Sequence, residues 1–286
     1  MTKRLRAGVI GAGVFGGYHA AHWAGADGVD LIGVFDTHLD RAQALAARCG
    51  AAAFVDQAAL LARVDMVSIC SPAGAHGDGA LAALRAGVAA YIEKPIAGDL
   101  KSADAVVAEA RQRGLTVACG FLERATAQAR GLLDLPAPLR LEARRFSLHS
   151  PRNLDVSVVL DLMIHDLDLA LLLARAKPFA VEAEGTFGDD GVLCEVDAEV
   201  TFENGFTARC VASRVAPARK RGWRLLYPDR ETTFDLLSAP AGDPLGVSLA
   251  GFSDAVRGRR PAPLATGEDG VRALDLALAV EQAVGG

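Results

Sequence analysis

Three polar residues stand where the surrounding sequence is apolar. Lys94 follows the run Ala89–Ile92 within Glu93-Lys94-Pro95. Asp161 and His165 interrupt Val159-Leu160-Asp161-Leu162-Met163-Ile164-His165-Asp166-Leu167-Asp168. Four residues apart, these two share one face of a helix about one turn from each other. Burying such groups is costly unless they pair or line a cavity. A histidine that titrates near neutral pH suits removal of a hydroxyl proton. A lysine at the carboxyl end of a strand can stabilise charge developing on oxygen. A solvated strand end would account for Lys94 alone, and a satisfied core histidine for His165 alone; the Asp one turn earlier favours catalysis.

A second constellation lies at the start of the chain. Gly11-Ala12-Gly13-Val14-Phe15-Gly16 follows a strand-like run, Arg6–Ile10, and leads into a helical stretch, Phe15–Ala24. In that context the first glycine permits a tight turn, the second a close backbone approach to a pyrophosphate, and the third close helix packing. The helix N-terminus then offers N–H groups to phosphate. Asp36 closes the next strand-like run, Leu31–Phe35, twenty residues beyond Gly16. That is the place of a carboxylate that bonds ribose hydroxyls, and Thr37 beside it is expected to share the contact. A carboxylate repels a 2′-phosphate, so NAD is expected in preference to NADP, with Arg41 the nearby group able to meet a phosphate.

These residues need a scaffold, and the pattern supplies one. Leu39–Cys49, Gly79–Ala86 and Lys101–Arg113 read as helices alternating with strand-like Met66–Cys70, Ala89–Ile92 and Thr116–Gly120. Such alternation implies βαβ units and a doubly wound parallel sheet. After Phe121 the rhythm changes. Arg140–Ser147 reads as a strand and Val158–Ala174 as one long helix. Val192–Phe202 alternates, with Val192, Cys194, Val196, Ala198, Val200 and Phe202 on one face and Leu193, Glu195, Asp197, Glu199 and Thr201 on the other. Asn204-Gly205 then predicts a type I′ hairpin. Gly222–Tyr227 and Thr232–Leu237 read as further strands and Val271–Val284 as a helix. The fold class is therefore α/β: a Rossmann domain over 1–121, then an α+β domain over 122–286 with a large open, mostly antiparallel sheet.

The 286 residues carry 51% hydrophobic and 23% charged side chains, ample for two folded domains. A net charge of -5 argues against nucleic-acid or anionic-membrane partners. The basic cluster Arg214, Arg219, Lys220 and Arg221 is too short to change that. Five scattered cysteines show no metal-ligand spacing, so no metal is expected, and they suit a reducing compartment. Met1-Thr2-Lys3-Arg4 runs into a strand without a signal-peptide core, and no apolar run approaches the ~20 residues of a bilayer span. A soluble, cytoplasmic protein is expected. Arg124, Arg144 and Arg145 read as solvated arginines, with a phosphorylated substrate as the other reading.

Taken together, the glycine turn, Ser71-Pro72 with His76, Glu93-Lys94-Pro95, Asp161 with His165, and the closing stretch with Phe252, Pro261 and Ala273-Leu274 resemble the Gfo/Idh/MocA oxidoreductase family over essentially the whole chain. Cys119-Gly120-Phe121-Leu122-Glu123-Arg124 and Leu160–Asp166 are similar to the branch of virulence-factor-type oxidoreductases and UDP-N-acetylglucosamine 3-dehydrogenases. That branch usually continues Glu-Arg-Phe-Asn-Pro, where this chain has Glu123-Arg124-Ala125-Thr126-Ala127. The resemblance implies that Lys94 orients or polarises the reacting oxygen, that His165 is general acid/base, and that Asp161 assists substrate or His165. It implies that Ser71, Pro72, His76, Glu93 and Lys94 line the cofactor edge, and that the second domain assembles a homodimer or homotetramer. The expected substrate is a sugar, polyol or nucleotide sugar. The alternatives are a non-catalytic dinucleotide sensor, or a reductase of the same fold acting on an imine, tetrapyrrole or dihydrodiol.

Overall fold

The computed structural model describes residues 3–148, 156–238, 242–259 and 263–285. Met1, Thr2 and Pro261 lie outside them. In chain order the elements are β1 (Leu5–Ile10), α1 (Val14–Gly25), β2 (Val29–Phe35), α2 (Leu39–Cys49), β3 (Ala52–Phe54), α3 (Gln57–Leu61), β4 (Met66–Ile69), α4 (His76–Arg85), β5 (Ala89–Ile92), α5 (Leu100–Arg113), β6 (Val117–Cys119) and α6 (Leu122–Ala129). There follow β7 (Arg140–Phe146), a π-helical turn (Val159–Met163), α7 (Ile164–Ala174), β8 (Pro178–Phe187), β9 (Leu193–Phe202), β10 (Thr207–Ser213), β11 (Lys220–Leu226), β12 (Glu231–Asp235), α8 (Pro244–Val256), β13 (Ala265–Thr266) and α9 (Gly267–Gly285).

By their internal contacts the residues form two compact units, Met1–Ala125 with Asp243–Val271, and Thr126–Gly242 with Arg272–Gly286. The first holds a seven-stranded sheet in the order β13-β6-β5-β4-β1-β2-β3. Its strands β1 to β6 run parallel, and β13 pairs antiparallel with β6. β4 and β5 are buried at every position, the mark of strands covered on both faces. Helix ends carry their own stops and starts. Asp99 caps α5 by accepting from Ser102 N–H, and Gly50 closes α2 in the left-handed region.

The returning segment 243–271 joins this unit for a physical reason. Phe252 packs edge-on against Tyr91, and the Tyr91 hydroxyl lies 2.8 Å from Ser248 Oγ. Leu245, Leu249 and Phe252 enter the same core as Val9, Val34 and Met66.

At the amino end of the sheet Asp65 accepts from the Arg6 backbone N–H at 2.9 Å and from its guanidinium at 2.8 and 3.1 Å. The Arg6 guanidinium, outweighing partial burial, holds the Asp65 carboxyl at about 2, below its ordinary 3.8. A folded-state value below the unfolded one stabilises the protein above about pH 4, and that contribution disappears as pH falls towards 2. Asp65→Asn should therefore lower stability at pH 7 and flatten acid unfolding between about pH 4 and 2, as read by denaturation at stepped pH. Equal acid dependence in both proteins would contradict this.

The second unit holds a six-stranded sheet, β12-β11-β7-β10-β9-β8, antiparallel except for the parallel pair β7 and β10. One face buries Val196, Ala198, Val200, Phe202, Ala208, Cys210 and Ala212. The opposite face carries ion pairs across neighbouring strands, including Arg209 with Asp197 at 2.6 Å and Arg224 with Glu142 at 3.2 Å. Three expectations change here. Leu193 is buried, not on the polar face, because the β8–β9 register shifts beside Phe187, its partner. The hairpin at Asn204-Gly205 is not type I′, which needs two residues with positive φ. Only Gly205, at 84°, has it, and Gly205 N–H donates to the Phe202 carbonyl, giving a type I turn with a glycine bulge. The long helix expected over Val158–Ala174 is also divided, into the π-turn and α7.

Candidate active site

In the first unit the strand order switches between β1 and β4, and ligands of open α/β sheets bind beyond the strand ends at such a point. The turn after β1 is tightly made. Gly11 has φ 97°, and a Cβ there would lie 2.6 Å from the Cys70 carbonyl. A Cβ on Gly16 would lie 1.8 Å from the Gly11 carbonyl oxygen. Side chains at either position would push α1 off the turn. Gly13 is the N-cap of α1 and faces open space. No side chain caps α1 and its first turn holds no acid, so its N–H groups present an anion site. Val14 and Phe15 are exposed on that turn, and Ala12 is half-buried.

A cavity of about 400 Å³ is lined by Gly11, Asp36, Thr37, Ser71 and Pro72, with Gln57 and Asp78 added. Asp36 Oδ2 accepts from Ala12 N–H at 2.7 Å and Oδ1 from His38 N–H at 2.8 Å. Partial burial pushes the Asp36 carboxyl up. The Ala12 and His38 N–H groups, with the His38 ring and Arg41, together outweigh it and hold the carboxyl below the usual range. Ser71 Oγ is buried with no hydrogen-bond partner among the described residues. Among the described residues two carboxylates line the cavity and no basic side chain does. An anion-binding helix start, an orphaned hydroxyl and a fixed carboxylate fit a dinucleotide with free ribose hydroxyls.

His76 does not line the cavity. It is buried, with Nδ1 2.6 Å from the Pro95 carbonyl oxygen and Nε2 2.8 Å from that of Ser71. Burial pushes its ring below the usual histidine range against the pull of the two carbonyls. It ties the Ser71 loop to the loop carrying Lys94. Lys94 itself is half-buried at the end of β5, before a cis peptide to Pro95. Glu93 is buried, with Oε1 3.0 Å from Nε2 of His19 on α1. His19, Gln57 and Asp78 escape sequence reasoning, because nothing in their spacing marks them.

In the second unit Asp161 lies inside the π-turn and His165 in the first turn of α7, both half-buried. Ile164 N–H donates to the Val159 carbonyl, five residues back, so the turn between them is wider than an α-helix gives. Wide turns of this kind recur at functional sites. Asp166, next to His165, is clamped. Arg145 donates to both its oxygens at 2.8 Å, and Trp223 Nε1 donates to Oδ1 at 2.9 Å, with all three side chains buried. Arg145 is therefore not a solvated arginine, and neither is Arg124, which is buried against Asp269 at 2.9 Å in the first unit. Each has a carboxylate partner distant in sequence. Arg144 is exposed. Among the described residues no group of three or more His, Cys, Asp or Glu could hold a metal ion, and no helix is long and apolar enough to cross a membrane.

Known proteins align with this arrangement. The family model for GFO/IDH/MocA, an oxidoreductase family with an NAD-binding Rossmann fold, matches residues 5–121, and that for the GFO/IDH/MocA C-terminal domain matches 136–233. The chain is 40% identical over 236 residues to UDP-N-acetylglucosamine 3-dehydrogenase of Acidithiobacillus ferrooxidans, covering 82% of this chain and 75% of that protein. A solved structure of that dehydrogenase has a TM-score of 0.93 and 37% identity, covering 98% of this chain and 97% of the other. Myo-inositol 2-dehydrogenase of Thermotoga maritima is 28% identical over 212 residues, 68% of this chain and 60% of that protein.

Proposed function

This chain belongs to the GFO/IDH/MocA oxidoreductase family, and from that membership we propose that it is an NAD-dependent dehydrogenase acting on a carbinol of a nucleotide sugar. The observation that carries the substrate class is the 40% identity to UDP-N-acetylglucosamine 3-dehydrogenase over 82% of the chain. Bound NAD supplies the acceptor for the hydride. Everything else falls to the protein. Asp36 holds the ribose hydroxyls, and the N–H groups at the start of α1 hold the pyrophosphate. His165 takes the hydroxyl proton on a ring nitrogen, Asp161 orients that ring, and Lys94 stabilises the charge left on the substrate oxygen. In this reading 1–121 binds the dinucleotide, and 122–286 binds substrate and assembles a homodimer or homotetramer on its sheet. Light scattering at the mass of a single 29.7 kDa chain would refute the assembly.

Reduction of NAD across UDP-sugars, free sugars and polyols tests the activity. Turnover concentrated on the UDP-sugars supports it; tight NAD binding with no turnover on any of them overturns it. The preference for NAD over NADP rests on Asp36. Asp36→Ala should weaken NADH binding by about tenfold or more, the order of a lost charge-assisted hydrogen bond. It should also narrow the gap to NADPH, and fluorescence titration of both cofactors measures the two effects. Unaltered selectivity would remove Asp36 from this role.

A further inference from the structure

We propose that Arg214 is a positioning residue for the Asp161–His165 pair, an inference that rests on the role given to that pair above. The sequence groups Arg214 with Arg219, Lys220 and Arg221, but the structure separates them. The other three are exposed, and Arg214 is buried. It directly follows β10, where its backbone N–H donates to the Cys194 carbonyl at 3.0 Å. Its Nη2 donates to the Val156 carbonyl at 2.5 Å and lies 3.9 Å from Asp161 Oδ2. One guanidinium thus ties the segment entering the π-turn to the carboxylate within it. Ser157 secures the same turn, its Oγ accepting from Leu160 N–H at 3.1 Å and bonding Glu281 of α9.

At 3.9 Å the guanidinium offsets the Asp161 charge without forming a direct hydrogen bond to that oxygen. A carboxylate beside a histidine raises the proton affinity of the ring, and a ring already protonated cannot act as base. A positive charge close to Asp161 moderates that effect. Other charged groups among the described residues surround this turn. Asp166 is held by Arg145, Glu281 acts through Ser157, and Asp168 is buried along α7. Arg214 then tunes how readily His165 accepts and returns its proton.

Titration of His165 reads this role without any substrate. The protein carrying isotope-labelled histidine is followed by NMR across pH, with the His165 signal identified by its loss in His165→Gln. Arg214→Met should raise the His165 midpoint by about one pH unit, the size of one nearby charge. Arg214→Lys should restore it, Asp161→Asn should lower it, and Arg214→Met in the Asp161→Asn background should do nothing further. Retained NADH binding shows that each variant is folded. An unmoved His165 in Arg214→Met, where Asp161→Asn does move it, overturns the role of Arg214 alone. A His165 that ignores Asp161→Asn overturns the pair itself and the inference with it.

Discussion

Lys94→Ala is expected to lower kcat by about 10²–10³-fold, the loss typical of one electrostatic donor aimed at a developing oxyanion. NADH binding should change little, because Lys94 is not among the residues lining the cavity beside the glycine turn. Its setting argues for a fixed role. β5 is wholly buried, so its carboxyl end is held rigidly, and Glu93 before Lys94 is anchored by His19. His76 holds the Pro95 carbonyl on the other side. A side chain flanked by two such anchors loses little entropy on meeting its substrate. Lys94→Arg should not rescue, since a planar fork cannot replace a compact ammonium at the same distance. Stopped-flow and steady-state rates with the best substrate of the panel decide the matter. Wild-type kcat in Lys94→Ala would remove Lys94 from the chemistry.

Asp166→Ala should destabilise the second unit by about 3–5 kcal/mol, the usual consequence of removing one partner from a buried ion pair. The substitution takes from Arg145 the carboxylate that binds it twice and leaves the Trp223 N–H without its acceptor. Desolvation of the guanidinium is then no longer compensated. Asp166→Asn keeps an acceptor oxygen and should cost less. Chemical denaturation followed by Trp223 fluorescence measures both, and a loss below about 1 kcal/mol in Asp166→Ala would show that the clamp is not what holds α7. The same variant bears on function, because Asp166 adjoins His165.

The sequence makes legible those features whose signal is local. The glycine turn is read from a strand, a turn and a helix that are contiguous, and Asp36 from its distance to Gly16. The parallel sheet follows from alternation along the first 120 residues, and the polar ladder of β9 from a period of two. What is not legible depends on length or on distant partners. β3 has three residues and α3 five, too few for any periodicity to emerge. β8 is exposed at most of its positions, so burial imposes no alternation on it. α8 does carry a local start signal, Asp243 capping Gly246 N–H with Pro244 in the first turn. The π-turn is different. Asp161 and His165 have the same spacing in an α-helix and across a π-turn, so the pattern cannot tell them apart. The burial of Arg145 and Arg214 is hidden for a related reason, since their partners Asp166 and Asp161 lie on another element. The returning segment 243–271 follows the same logic, for the Tyr91–Ser248 contact joins residues 157 apart.

Hydride transfer from a nucleotide-sugar carbinol to NAD is read most plainly by following an isotope. UDP-N-acetylglucosamine carrying deuterium on C3 is incubated with the protein and NAD, and the reduced cofactor is weighed by mass spectrometry. The reduced cofactor should bear the deuterium, and the Lys94→Ala and His165→Gln proteins should form it about a hundredfold more slowly or less. Absence of reduced cofactor, or reduced cofactor without the label, would contradict it.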